Sequence, residues 1–193
     1  MSRWTMDPMW LGLVLGAAAA AATTGGGGNL RAADVTATHG FKDARQCSFQ
    51  PGGERVFRVL EKLHYNTLLR ASREVGALRL TIQGERTSRP DPLGGSHEAG
   101  TTVAAPVGAI QWHGLPVQSF AVGYDRPPET DSSSWREVRL RASSAQARAL
   151  LQRLGVSVPP GGYYRIHDGS ACGGALMVKS KGGQTSIRCE WGC

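Results

Sequence analysis

The segment that leaves this chain least freedom is its C-terminal stretch, residues 172–193, CGGALMVKSKGGQTSIRCEWGC. Two runs that alternate between apolar and polar residues flank Gly182-Gly183, the signature of a hairpin closed by a two-residue turn. In that register paired residue numbers sum to 365, so Val178 faces Ile187, Leu176 faces Cys189 and Cys172 faces Cys193. Opposed residues share a face. The spacing therefore predicts a Cys172–Cys193 disulfide, and elimination leaves Cys47–Cys189. If Gly173-Gly174 forms a bulge instead, Cys47–Cys172 with a local Cys189–Cys193 bond is the alternative.

A disulfide reading requires an oxidising compartment, and the N-terminus points to one. Trp10 to Ala22, WLGLVLGAAAAAA, is uncharged, too short to span a bilayer core, and ends in small residues suited to cleavage. Residues 1–22 are predicted to be a signal peptide and the protein to be secreted or periplasmic, with no transmembrane span once they are removed; Met6 or Met9 could serve as alternative starts. Residues 23–40, with four consecutive glycines, read as a flexible lead, and 41–193 as a single domain.

Within that domain, apolar residues recur at helical spacing between Glu54 and Ser72, giving a first helix, and Leu78, Leu80 and Ile82 alternate as a strand. Glu85 to Pro106 has no periodicity and reads as an exceptionally long loop, functional or disordered. Strands are expected over Val107–Trp112 and Val117–Asp125, joined by a four-residue loop His113–Pro116, then over Trp135–Ala142. Ser143 and Gln146 form an S-x-x-Q capping box ahead of a second helix near Ser144–Leu154, and Gly155 stands where a left-handed residue ends it. A strand near Tyr163–His167 precedes the hairpin. The fold expectation is α+β: two helices on a largely antiparallel sheet of five to seven strands, disulfide-stapled.

Chemistry is harder to find. The run His167-Asp168-Gly169-Ser170-Ala171-Cys172 matches no nucleophile motif. The cysteines lack paired CxxC spacing and the five histidines are scattered, so neither a metal nor a cofactor is predicted. The net charge of +7 survives signal removal, which takes away only Arg3 and Asp7, and it comes from 18 Arg against 4 Lys. Arginine suits carboxylate and phosphate partners, but an aromatic-plus-basic nucleic-acid signature is missing, so no nucleic-acid partner is expected. Candidate binding residues are Trp112 and His113 at one end of a predicted strand, Arg126 at its other end, and Arg139 and Arg141 in the densest basic cluster, beside Arg136.

These features favour an exported, non-enzymatic binding protein with a protein partner, acidic in one form of the reading, and most specifically an inhibitor or immunity-type protein using the 85–106 loop. Two other readings stand beside it: an exported hydrolase assembled around His113, Asp168 and Ser170, and a basic module for anionic envelope polymers.

Overall fold

The structure, a computed structural model, describes residues 32–63, 70–90, 96–126, 132–166 and 173–192. Residues 31–193 cluster as one compact unit. Residues 1–22, read from sequence as a signal peptide, the His167–Cys172 run and Cys193 lie outside the described residues, so Cys172–Cys193 is not among the bonds seen.

The chain is predominantly β, which corrects the α+β expectation. Among the described residues it forms twelve strands, ten of them in one sheet, and three short helices. The elements run β1 (Ala33–Asp34), α1 (Thr36–His39), β2 (Phe41–Asp43), β3 (Ser48–Phe49), α2 (Pro51–Leu63), β4 (Arg70–Val75), β5 (Leu78–Pro90) and β6 (Ser96–Pro106). There follow β7 (Ile110–Trp112), β8 (Leu115–Arg126), β9 (Ser133–Leu140), α3 (Ser144–Arg153), β10 (Tyr163–Ile166), β11 (Gly173–Lys181) and β12 (Gln184–Gly192). The main sheet is ordered β10-β11-β12-β9-β8-β6-β5-β4, every neighbouring pair antiparallel, with β7 beside the start of β8 and β1 parallel to β7.

Three segments account for the correction. Glu85–Pro106 is not a loop: β5 and β6 pair from Leu80↔Pro106 to Pro90↔Ser96, and β6 pairs on its other side with β8. The buried positions described in it, Gly100, Thr102 and Ala104, are not strongly apolar, so no hydrophobic alternation marks it, and the bounding prolines Pro90 and Pro106 sit at strand ends, where a missing N–H is tolerated. The helix predicted between Glu54 and Ser72 is described over Pro51–Leu63, and its predicted end falls in strand: Arg70–Val75 is an edge strand whose Arg73 and Glu74 discourage further pairing. Residues 33–40, assigned to the flexible lead, pack against the body, with Val35 and His39 buried.

Other segments fold as their sequence dictates. β11 and β12 pair in the 365 register, Leu176↔Cys189 and Val178↔Ile187 included, around Gly182 (φ 58°) and Gly183 (φ 79°). Both central residues are left-handed, as a type I′ turn demands. His113 (φ 50°) and Gly114 (φ 76°) make a second such turn between β7 and β8; Leu115 and Pro116 pair with Trp112 and Gln111, so the loop is two residues rather than four. The capping box closes the start of α3 through Ser143 and Gln146, and Gly155 has φ 78°.

The core lies on one face of the sheet. Phe120, Val122, Val138, Leu176 and Ile187 project from it toward Val56, Phe57 and Leu60 of α2 and Ala147, Leu150 and Leu151 of α3. An aromatic chain links the N-terminal strands to it: Phe41 on Phe49 and Phe49 on Phe57 at 4.7 Å, Phe57 on Phe120 at 6.0 Å. Cys47 and Cys189 form a disulfide with Cα atoms 6.0 Å apart and a sequence separation of 142. Closing so long a loop removes about 5 kcal/mol of unfolded-state entropy in the chain-entropy account.

Candidate functional site

In an antiparallel sheet directly opposed residues project to the same side, so the pairing sorts every strand residue between two faces. One face carries the core. The other meets no helix among the described residues, and none of its side chains joins the core cluster. Across β8, β9, β12 and β11 its central row reads Ala121, Glu137, Arg188 and Met177, with Tyr163 of β10 beyond. Adjacent rows bring Ser119, Arg139, Ser186 and Lys179, and Gly123, Trp135, Glu190 and Ala175.

Glu137 is the hub of this open face. Its Oε1 accepts from Arg139 Nε at 2.6 Å and its Oε2 from Arg188 Nε at 2.7 Å, and the residue is only 4% exposed. Burial alone would raise its pKa, but the hydrogen bond from Arg139, the charge and hydrogen bond of Arg188 and the charge of Arg139 outweigh that and hold the carboxyl below its ordinary range. Arg188 also lies over the Trp135 ring, 4.5 Å from its centroid, and the buried Trp135 indole N–H has no acceptor among the described residues. Lys179 and Glu190 form an outer pair at 3.3 Å, and Tyr163 is 61% exposed.

The helix-covered face has its own opening, at the strand ends beyond α2. Two glycines there oppose aromatic residues, Gly100↔Tyr124 and Gly174↔Trp191, as Gly123↔Trp135 does on the open face. A Cβ on Gly100 would lie 2.7 Å from the Tyr124 ring, and one on Gly174 would lie 3.1 Å from Trp191, so each ring covers its glycine. Both pairs are on the core face, and Ser134 stands between Tyr124 and Trp191 in the same row. Each ring leans away from Ser134 onto its glycine, and the gap is a cavity of about 510 Å³. Arg136 closes the inner end, held by Glu54 at 2.9 Å and Glu61 at 2.7 Å; Arg126 lies over the Tyr124 ring at 5.2 Å.

The structure disperses the residues singled out from sequence. Trp112 is fully buried, packs against Phe41 in a tilted pair with centroids 5.0 Å apart and donates its indole N–H to His39 O at 2.9 Å, so it is a core residue rather than a contact. His113, in the turn, accepts the Phe41 N–H at Nε2 (3.0 Å) while its own N–H donates to Thr36 Oγ1. Arg126 is at the cavity, Arg139 on the open face, and Arg141 exposed just past the end of β9. The basic cluster of Arg136, Arg139 and Arg141 is therefore no patch: strand alternation sends Arg136 and Arg139 to opposite faces. Sequence reasoning missed Glu137 as a hub, Arg188, and the Tyr124–Trp191 opening; the one available signal was a lone glycine within strand-like sequence, which marks close approach.

Among the described residues no group of three or more histidine, cysteine or acidic side chains could hold a metal, and no helix is long and apolar enough to cross a membrane. Comparison of the chain with known protein families, with curated proteins and with solved structures finds no match.

Proposed function

We propose that the chain is an exported, non-enzymatic binding protein that docks a protein partner on the open face of its sheet, in the manner of an inhibitor or immunity-type protein. The observation that carries this reading is the composition of that face. Trp135, Met177, Tyr163, Arg139 and Arg188 are gathered by four strands into one surface with no helix over it among the described residues. Aromatic residues, Met and Arg are the residue types enriched where proteins meet proteins. A rigid antiparallel sheet loses little conformational freedom on binding, which favours affinity. The long loop that motivated an inhibitor reading is paired strand, so the binding role passes to this face.

A photo-crosslinking residue at Tyr163 on the open face, with Gln152 on the exposed side of α3 as its control, tests the reading in envelope or extracellular extract. Expected is one crosslinked protein from position 163, absent from position 152 and lost on Arg188→Ala. Crosslinking from position 152 alone, or the same products from both positions, overturns it.

A further inference from the structure

The cavity between Tyr124 and Trp191 opens at the strand ends on the helix-covered side, with Gly123 and Trp135 also in its lining, and docking on the open face does not account for it. We infer that it binds a neutral carbohydrate, one or two sugar rings in size. About 510 Å³ is within the range of small-molecule sites, roughly 300–1,000 Å³. Trp191, partly exposed, and Tyr124, 6% exposed with Arg126 over its ring, line it on either side of Ser134, so Trp191 is the ring open to a ligand. Sugar rings present C–H faces that stack on such side chains while their hydroxyls point outward.

The polar lining suits those hydroxyls. Ser132, Ser133 and Ser134 each carry a group that both donates and accepts, and Glu61 and Arg136 add a planar acceptor and a planar donor. Charge decides between a sugar and an anion. Arg136 is already matched by the two carboxylates of Glu54 and Glu61, and Arg126 stands opposite Glu98 across the strands, so among the described residues positive charge does not exceed negative here. A site for phosphate or a uronic acid would show an excess of positive charge. Here the excess is absent, and directional hydrogen bonding with aromatic stacking remains.

Ser134 gives a clean variant. It is exposed, it sits between the two rings, and its enlargement fills the cavity without removing a core contact. Saturation-transfer NMR on the disulfide-bonded protein would use cellobiose, maltose and diacetylchitobiose as neutral probes, with glucuronate and inorganic phosphate as anionic ones. Expected is transfer to ring C–H protons of at least one neutral disaccharide, reduced at least tenfold in Ser134→Phe and in Trp191→Ala, with phosphate unable to compete. Circular dichroism and the urea midpoint of Ser134→Phe confirm that it folds. Transfer to none of the neutral probes, transfer that survives Ser134→Phe, or displacement by phosphate or glucuronate would overturn the inference. Ser134 is on the core face, so Ser134→Phe leaves the Tyr163 crosslink intact, and the two readings stand or fall separately.

Discussion

The two faces of the sheet are made by the same strands, residue by residue, yet they are held by different physics. On the helix-covered face Phe120, Val138, Leu176 and Ile187 are at most 1% exposed and belong to the hydrophobic core. On the open face Glu137 is nearly as buried, but by two arginines lying over it rather than by a helix. The first arrangement gains stability from area removed from water. The second fixes the placement of Arg139 and Arg188 at a net contribution that burial cannot reveal, because desolvation offsets much of the Coulomb attraction. Burial alone therefore does not tell a core from a preorganised surface.

The largest contrast should come from removing an aromatic ring on each side. Phe120→Ala deletes a fully buried ring in edge contact with Phe57 and should cost about 3–5 kcal/mol. Tyr163→Ala, at 61% exposure, should change stability by less than about 0.5 kcal/mol. Urea unfolding of the two variants measures both. Equal losses would mean that the open face is part of the core and would erase the distinction.

An intermediate effect is expected at Glu137. Glu137→Gln strands Arg139 and Arg188, whose side chains are 24% and 18% exposed and can recover some hydration, so the loss should be about 2–3 kcal/mol. Replacing all three together, Glu137→Leu with Arg139→Met and Arg188→Met, should return stability to within about 1 kcal/mol of the parent, because no charge is left unpaired. The same triple variant should lose the Tyr163 crosslink. A triple variant as unstable as Glu137→Gln would show that the triad is a net source of stability rather than a device for holding two arginines in place.

How much of this was legible beforehand follows from where local chemistry fixes geometry. Gly182-Gly183 leaves a two-residue turn no slack, so the β11–β12 register and the Leu176↔Cys189 pair could be counted out from sequence. Ser143 and Gln146 likewise mark the start of α3, since both halves of the cap are within three residues. The Cys47–Cys189 bond followed by elimination. Glu85–Pro106 was opaque for the opposite reason. A period-two pattern appears only where one face is buried, and along β6 the buried positions are Gly100, Thr102 and Ala104, none of them strongly apolar. Arg70–Val75 was hidden because Leu68 and Leu69 prolong the helical spacing of the sequence up to its first residue. The cavity was out of reach because Tyr124 and Trp191 are 67 positions apart, and each alone looks like an ordinary strand aromatic.

Acid separates the open face from the N-terminal strands by a smaller effect. His113 and His39 both have pKa values lowered from 6.5 by burial; at His113 the charge of Asp34 works against the shift and that of Arg153 with it. A base with a folded pKa below its unfolded value binds fewer protons when folded, so its contribution is present above about pH 6.5 and lost as pH falls from there through the folded pKa. The geometry agrees: His113 Nε2 must stay unprotonated to accept the Phe41 N–H, and His39 Nε2 is buried with no partner among the described residues. Glu137 is a carboxylate with a lowered pKa, so its contribution is present above about pH 4.5 and lost as pH falls through its lower folded value. Urea midpoints from pH 8 to 3 should therefore decline in two steps. His113→Asn, which keeps a residue tolerant of the left-handed turn, should shrink the step below pH 6.5, leave the acid step in place, and speed hydrogen exchange at Phe41. Glu137→Gln should do the reverse. An unchanged upper step in a His39→Gln, His113→Asn double variant would remove both histidines from the acid response and leave the carboxylates of the open face to account for all of it.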